Sequence, residues 1–87
     1  MRHLVLELQA KAVRAWAEGQ WVCIQLEDHR EIRFPASHNP RLATATPEQL
    51  NHIEIICGGT GLHWPDLDED LSVVGILEGR LGPPRRD

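Results

Sequence analysis

Residues 12–35, AVRAWAEGQWVCIQLEDHREIRFP, alternate apolar and polar side chains across two short polar interruptions. That pattern constrains the chain more than any other. A period of two turns one side of each segment toward a core and the other toward water, which paired strands satisfy and a helix does not. Val22, Ile24 and Leu26 share one side, Gln25 and Glu27 the other. In the next segment Ile32 and Phe34 point inward, Glu31 and Arg33 outward. Gly19 and the Asp28-His29-Arg30 turn stand where two hairpins close. Pro35 has no N–H to give and ends the third strand or holds it at an edge. Trp16 lies opposite Val13, Ala15 and Ala17, either exposed or covering a second surface. Upstream, Leu4, Leu6 and Leu8 alternate in the same way within HLVLELQAK, which predicts a further strand despite its helix-forming composition.

Beyond Pro35 the signals change. Thr46, Pro47 and Gln49 form a helix start: a threonine cap, proline at the first helical position, and glutamine placed to complete a capping box. IEIIC (53–57) turns strand-like, GGTG breaks the chain in a tight turn with positive φ values, and LHW resumes the strand before Pro65. DLSVVGILEGR reads as a last helix with Leu71, Val74 and Leu77 on one face and a stop at Gly79 or Gly82. The expected fold is α+β: one small antiparallel sheet of about four to five strands with two short helices. Its core comprises Val22, Ile24, Leu26, Ile32, Phe34, Ile55, Leu71, Val74 and Leu77. Eighty-seven residues make one domain, over 1–82, with 83–87 a frayed tail, and a chain this short has modest stability unless self-association helps it.

The densest chemistry is HWPDLDEDLSV, which sets four acids into five positions, 66–70. Asp66, Asp68 and Asp70 have the spacing that opens a calcium loop, but the glycine and bidentate glutamate such a loop requires are replaced by Leu71 and Leu77. A helix start accounts for the run better: Asp68 as cap with Glu69 and Asp70 in the first turn, or a capping box from Asp66 to Glu69. The enzymatic alternative is a metal-assisted hydrolase built on His63, Asp66 and Glu69. None of the five histidines has HxH or HExxH spacing, Ser37-His38 lacks a nucleophile-elbow context, and GGTG lacks the lysine and hydroxyl of a phosphate loop. Cys23 and Cys57, each inside an apolar run, are expected to be buried thiols rather than a disulfide or metal pair. No catalytic residue, cofactor or metal site is therefore expected.

The formal net charge of −4 disfavours direct nucleic-acid binding, since the basic residues cluster only in the tail, at Arg80, Arg85 and Arg86. No apolar run approaches the ~20 residues of a membrane span, so cytoplasm is the expected location. Residues 65–79 hold five acids and no base. Asp66, Glu69 and Asp70, with Trp16, are thus the candidate surface for a protein partner, a basic one by charge, and a homodimer is also compatible.

Finally, LEDHREIRFP, NPRLATATPEQ and GGTGLHWPDLDEDLSVVGIL together resemble the bacterial family called domain of unknown function 2442. The likeness runs from about Ala12 to Gly79, and GLHWPDLDEDLSV is its most specific part: Gly61, His63, Trp64, Pro65 and Asp68 all fall on the family pattern. His29 stands where the family usually has glycine, which puts the second hairpin turn in question. His38 and Asn39 replace aromatic residues that commonly precede PRL. The family has no established activity. The resemblance implies a small α+β accessory domain, and relatives beside a second small protein suggest an antitoxin-like or regulatory partner.

Overall fold

The computed structural model describes residues 10–82. The expected strand at 4–8 and the tail at 83–87 lie outside them. The three alternating segments are three strands, β1 (Ala12–Glu18), β2 (Trp21–Leu26) and β3 (Glu31–Pro35), paired antiparallel in that order. Their registers set Ala17, Val22 and Phe34 in one inward row and Ala15, Ile24 and Ile32 in the next. A bulge between Ala12 and Arg14 takes Val13 out of the alternation and leaves it 51% exposed.

His29 takes φ 78° and the second turn closes normally. Leu26 N–H donates to Arg30 (2.8 Å) and His29 N–H to Leu26 (2.9 Å). Asp28 accepts from both the backbone and the guanidinium of Arg30, and those bonds hold its carboxyl below the usual range. The glycine replacement costs the turn left-handed backbone on a β-carbon, not its geometry.

The second half begins with α1 (Pro47–Asn51), opened by the full Thr46–Gln49 capping box. Three more strands follow, β4 (Glu54–Ile56), β5 (Gly61–Trp64) and β6 (Glu69–Ser72), and then α2 (Val73–Leu77). Strands β4, β5 and β6 pair antiparallel as a separate sheet. Among the described residues the single sheet of four to five strands is thus corrected to two sheets of three. The GGTG turn has the expected left-handed glycines, Gly58 (φ 64°) and Gly59 (φ 99°).

The acidic run does not start a helix. Asp68 has φ 51° and sits in the turn between β5 and β6, Glu69 and Asp70 are in strand, and the cap of α2 is Ser72, whose Oγ accepts from Gly75 N–H at 2.8 Å. Starting the helix at Val73 rotates its buried side. Val73 and Ile76 are buried, Val74 is half-buried and Leu77 is 38% exposed. The helix ends as expected at Gly79, at φ 83°, with Gly79 N–H bonded to Ile76 and Arg80 N–H to Gly75.

Both sheets feed one core, where Val22, Ile24, Leu26 and Phe34 meet Leu62, Trp64 and Leu71, joined by Ala36, Leu42, Leu50, Val73 and Ile76. Ile32 packs against it half-buried, and Ile55, on the short strand β4, is 38% exposed rather than core. Cys23 is buried as expected. Cys57, at φ 55° in the turn after β4, is exposed. No helix among the described residues is long and apolar enough to cross a membrane.

Candidate functional site

Gly61 to Ser72 form the β5–β6 hairpin, and its acids are distributed by the sheet's alternation. Trp64 and Glu69 pair on the inward side, while His63 and Asp70 pair on the outward side. Trp64 is fully buried, and its indole N–H donates to the carbonyl of Leu50, the penultimate residue of α1, at 3.0 Å. Pro65 is exposed in the turn that follows. Gly61 leaves room for Ile56, whose Cγ1 would lie 3.1 Å from a β-carbon added there.

Three further side chains tie this hairpin to residues 39–52. His52, capping α1, holds Asp66 at 2.9 Å. Arg41 donates from Nη1 to the carbonyls of Leu67 (3.1 Å) and Asp68 (3.2 Å) at the hairpin tip. Asn39 is completely buried and uses every polar position. Its Nδ2 donates to Glu69 Oε2 and to Leu81 O, each at 2.7 Å, and its Oδ1 accepts from the N–H groups of Arg41 (2.9 Å) and Leu42 (3.0 Å). The most specific stretch of the sequence is therefore a structural clamp: Trp64 donates to α1, while the Asp66 carboxylate, the Asp68 carbonyl and the Glu69 carboxylate accept from His52, Arg41 and Asn39.

On the outward side the register places Glu54, His63 and Asp70 in one row across β4, β5 and β6. His63 Nδ1 lies 2.5 Å from Asp70 Oδ1. That hydrogen bond raises the pKa of His63 above its ordinary 6.5 against the partial desolvation of the ring, with the charges of Asp70, Glu54 and Asp68 adding to the rise. The other outward positions are Ile56, Gly61 and Ser72, so among the described residues the strands of this face carry carboxylates and a histidine but no lysine or arginine.

The first sheet's outward face is chemically different. Its rows are Arg14, Gln25, Glu31; then Trp16, Cys23, Arg33; then Glu18, Trp21, Pro35. The Arg14 guanidinium stacks 4.5 Å from the Trp16 ring and that of Arg33 4.9 Å from Trp21. Trp16 donates its indole N–H to Glu18 at 2.8 Å, and Trp21 is 41% exposed. Cys23, 3% exposed beneath these side chains, has its thiol pKa pushed up by burial.

The four residues of the candidate partner surface are thereby separated. Trp16 is on the first sheet, Asp70 on the outward face of the second, Asp66 at the hairpin tip, and Glu69 turned inward to Asn39. His63, Asp66 and Glu69, which the hydrolase reading needed together, take three separate partners. Among the described residues no three His, Cys, Asp or Glu side chains converge to hold a metal. A shallow groove lined by Ala17, Pro47, Glu48, Asn51 and His52 runs beside α1, where Asn51 Oδ1 accepts from Ala17 N–H at 2.7 Å. Arg14 is legible as a same-side neighbour of Trp16 at spacing two, while Arg33 meets Trp21 across strands. Asn39, Arg41, His52 and Glu54 carried no local signal, because their partners lie on other elements.

Among curated proteins none matches the chain. Two solved structures share the fold. A protein of unknown function from Rhodospirillum rubrum is 34% identical, with a TM-score of 0.79, over 85% of this chain and 92% of that one. An uncharacterised protein from Chromobacterium violaceum, solved by solution NMR, is 31% identical with a TM-score of 0.76, over 93% of this chain and 76% of that one. The model of a protein family of unknown function, DUF2442, matches residues 12–82, the span that contains both sheets and the clamp between them, and the chain belongs to that family.

Proposed function

We propose that this chain is a non-enzymatic interaction domain, the regulatory or antitoxin-like partner of a second small protein, and that a basic partner docks on the outward face of its second sheet. The observation that carries the reading is the row Glu54–His63–Asp70, set across three strands whose outward positions, among the described residues, include no lysine or arginine. A fixed acidic face accelerates encounter with a basic surface and excludes acidic ones more than it tightens the final complex. Asp66 and Asp68, at the tip of the same hairpin, extend the negative field. Their side-chain and backbone bonds to His52 and Arg41 hold that tip still, and the chain's net charge of −4 has the same sign.

Co-expression with the adjacent reading frame, followed by affinity purification at low and high salt, tests the reading. A salt-sensitive complex is expected, weakened about ten-fold or more by the double substitution Glu54→Lys, Asp70→Lys. If no complex forms at low salt, or if the double variant binds as well as the wild type, the proposal fails.

A further inference from the structure

We propose that the outward face of the first sheet is a self-association surface on which a second copy of this chain docks face to face, about a two-fold axis running along β2. This inference concerns a different face from the one assigned to a basic partner and stands independently of it.

The rows of the face carry the argument. A two-fold axis along the central strand leaves each row in place and exchanges its β1 and β3 members, so each residue meets the opposite member of its own row. In the first row Arg14 meets Glu31 of the copy, and Glu31 meets Arg14 of the copy, while Gln25 meets its own equivalent. In the second row Trp16 faces the Arg33 of the copy and the reverse, with Cys23, small and already buried, at the axis. In the third row Trp21 faces Trp21 and Glu18 faces Pro35. One operation thus supplies two arginine–glutamate pairs, two arginine–tryptophan contacts and one tryptophan–tryptophan contact, with no like charges opposed. Trp and Arg are also the residues on which association energy concentrates.

Charge favours this face over the rest of the molecule. Arg14 and Arg33 balance Glu18 and Glu31, so the face is neutral on a chain of net charge −4. Two copies approach here without the repulsion that the outward face of the second sheet imposes. Packing the first sheet of one copy on the second sheet of another would bring arginines to acids, but that contact is head-to-tail and closes only where its rotation completes a ring. The two-fold arrangement closes at two.

The size of the face sets the class of interface. Three strands spaced ~4.8 Å apart give a strip about 10 Å wide before side chains, which places the buried area at the low end of specific interfaces, below ~1,200 Å². An interface of that size belongs with the small, transient ones, so the association is sought up to high protein concentration.

Sedimentation equilibrium of the full chain, up to about 1 mM, tests the proposal. A monomer–dimer equilibrium is expected. Arg14→Glu and Glu31→Arg each raise its dissociation constant about ten-fold or more, and the double charge swap Arg14→Glu, Glu31→Arg restores it to within about three-fold of wild type. Circular dichroism confirms that each variant keeps the native fold, as exposed positions should. A chain that stays monomeric at 1 mM overturns the proposal. So does a dimer indifferent to either single substitution, or a folded double variant that fails to recover.

Discussion

The first sheet has strands of seven, six and five residues, joined by turns that close within their own backbone. The second has strands of three, four and four. So few ladder bonds leave it short of self-sufficiency, and its hairpin is fastened from outside by Asn39, Arg41, His52 and the carbonyl of Leu50. Similar three-stranded topologies are thus specified at different ranges: one by alternation and turn residues that are neighbours in sequence, the other by side chains 14 to 30 positions from their partners. The cost of a single substitution should differ accordingly.

The largest effect should come from Trp64→Ala. It removes the biggest fully buried side chain and its bond to α1, and should cost about 3–5 kcal/mol. Against a total stability of about 5–15 kcal/mol that is a major loss. Urea denaturation measures it, and hydrogen exchange should show amides of β4 to β6 losing protection before those of β1 to β3. Uniform loss across both sheets would erase the distinction drawn here.

Asn39→Ala comes next. It strands Glu69 and three backbone groups at once, and should cost about 1–3 kcal/mol, toward the upper end because one orphaned group is charged. The same denaturation experiment decides it, and a midpoint within error of wild type would show that the loop and hairpin are fastened without it.

The smallest effect is the pH dependence of the His63–Asp70 pair on the exposed face. Because the folded-state pKa of His63 is raised above 6.5, the stabilisation is fully present below that value and is lost as pH rises through the folded-state value. An NMR titration of the His63 ring should place its midpoint above 6.5, and Asp70→Asn should bring it down. A wild-type midpoint at or below 6.5 would remove the pair from the account.

The same difference in range explains what could be read in advance. The boundaries of β1, β2 and β3, the His29 turn and the Thr46 capping box rest on residues within a few positions of one another, and local chemistry suffices for them. The acidic run reads as a helix start because Asp68, Glu69 and Asp70 suit a first helical turn as well as they suit a hairpin. Nothing near them reveals that Asn39 draws Glu69 inward, whereas Ser72, directly before the apolar run VVGIL, carries a cap signal of its own that the acids outnumber. Ile55 and Leu77 were placed in the core by periodicity alone, and lost it to the shortness of β4 and the later start of α2. Trp64 hid because the core that receives it is assembled from Leu42, Leu50 and Leu62, none of which announces its position. For the candidate site, the acids were visible but their division among a clamp, a hairpin tip and an outward face was not.

Pro35 has one more consequence. Ala36 donates to Gln20 and Leu26 to Arg30, so by antiparallel alternation Phe34 and Ile32 spend their backbone groups on β2, while Glu31, Arg33 and Pro35 turn theirs to the open edge. Among the described residues that edge therefore offers two N–H groups, both beside charged side chains, and then a proline that offers none. A stray strand finds a short and poorly matched template there, so the longest sheet in the molecule is guarded against the lateral growth by which exposed edges seed fibrils.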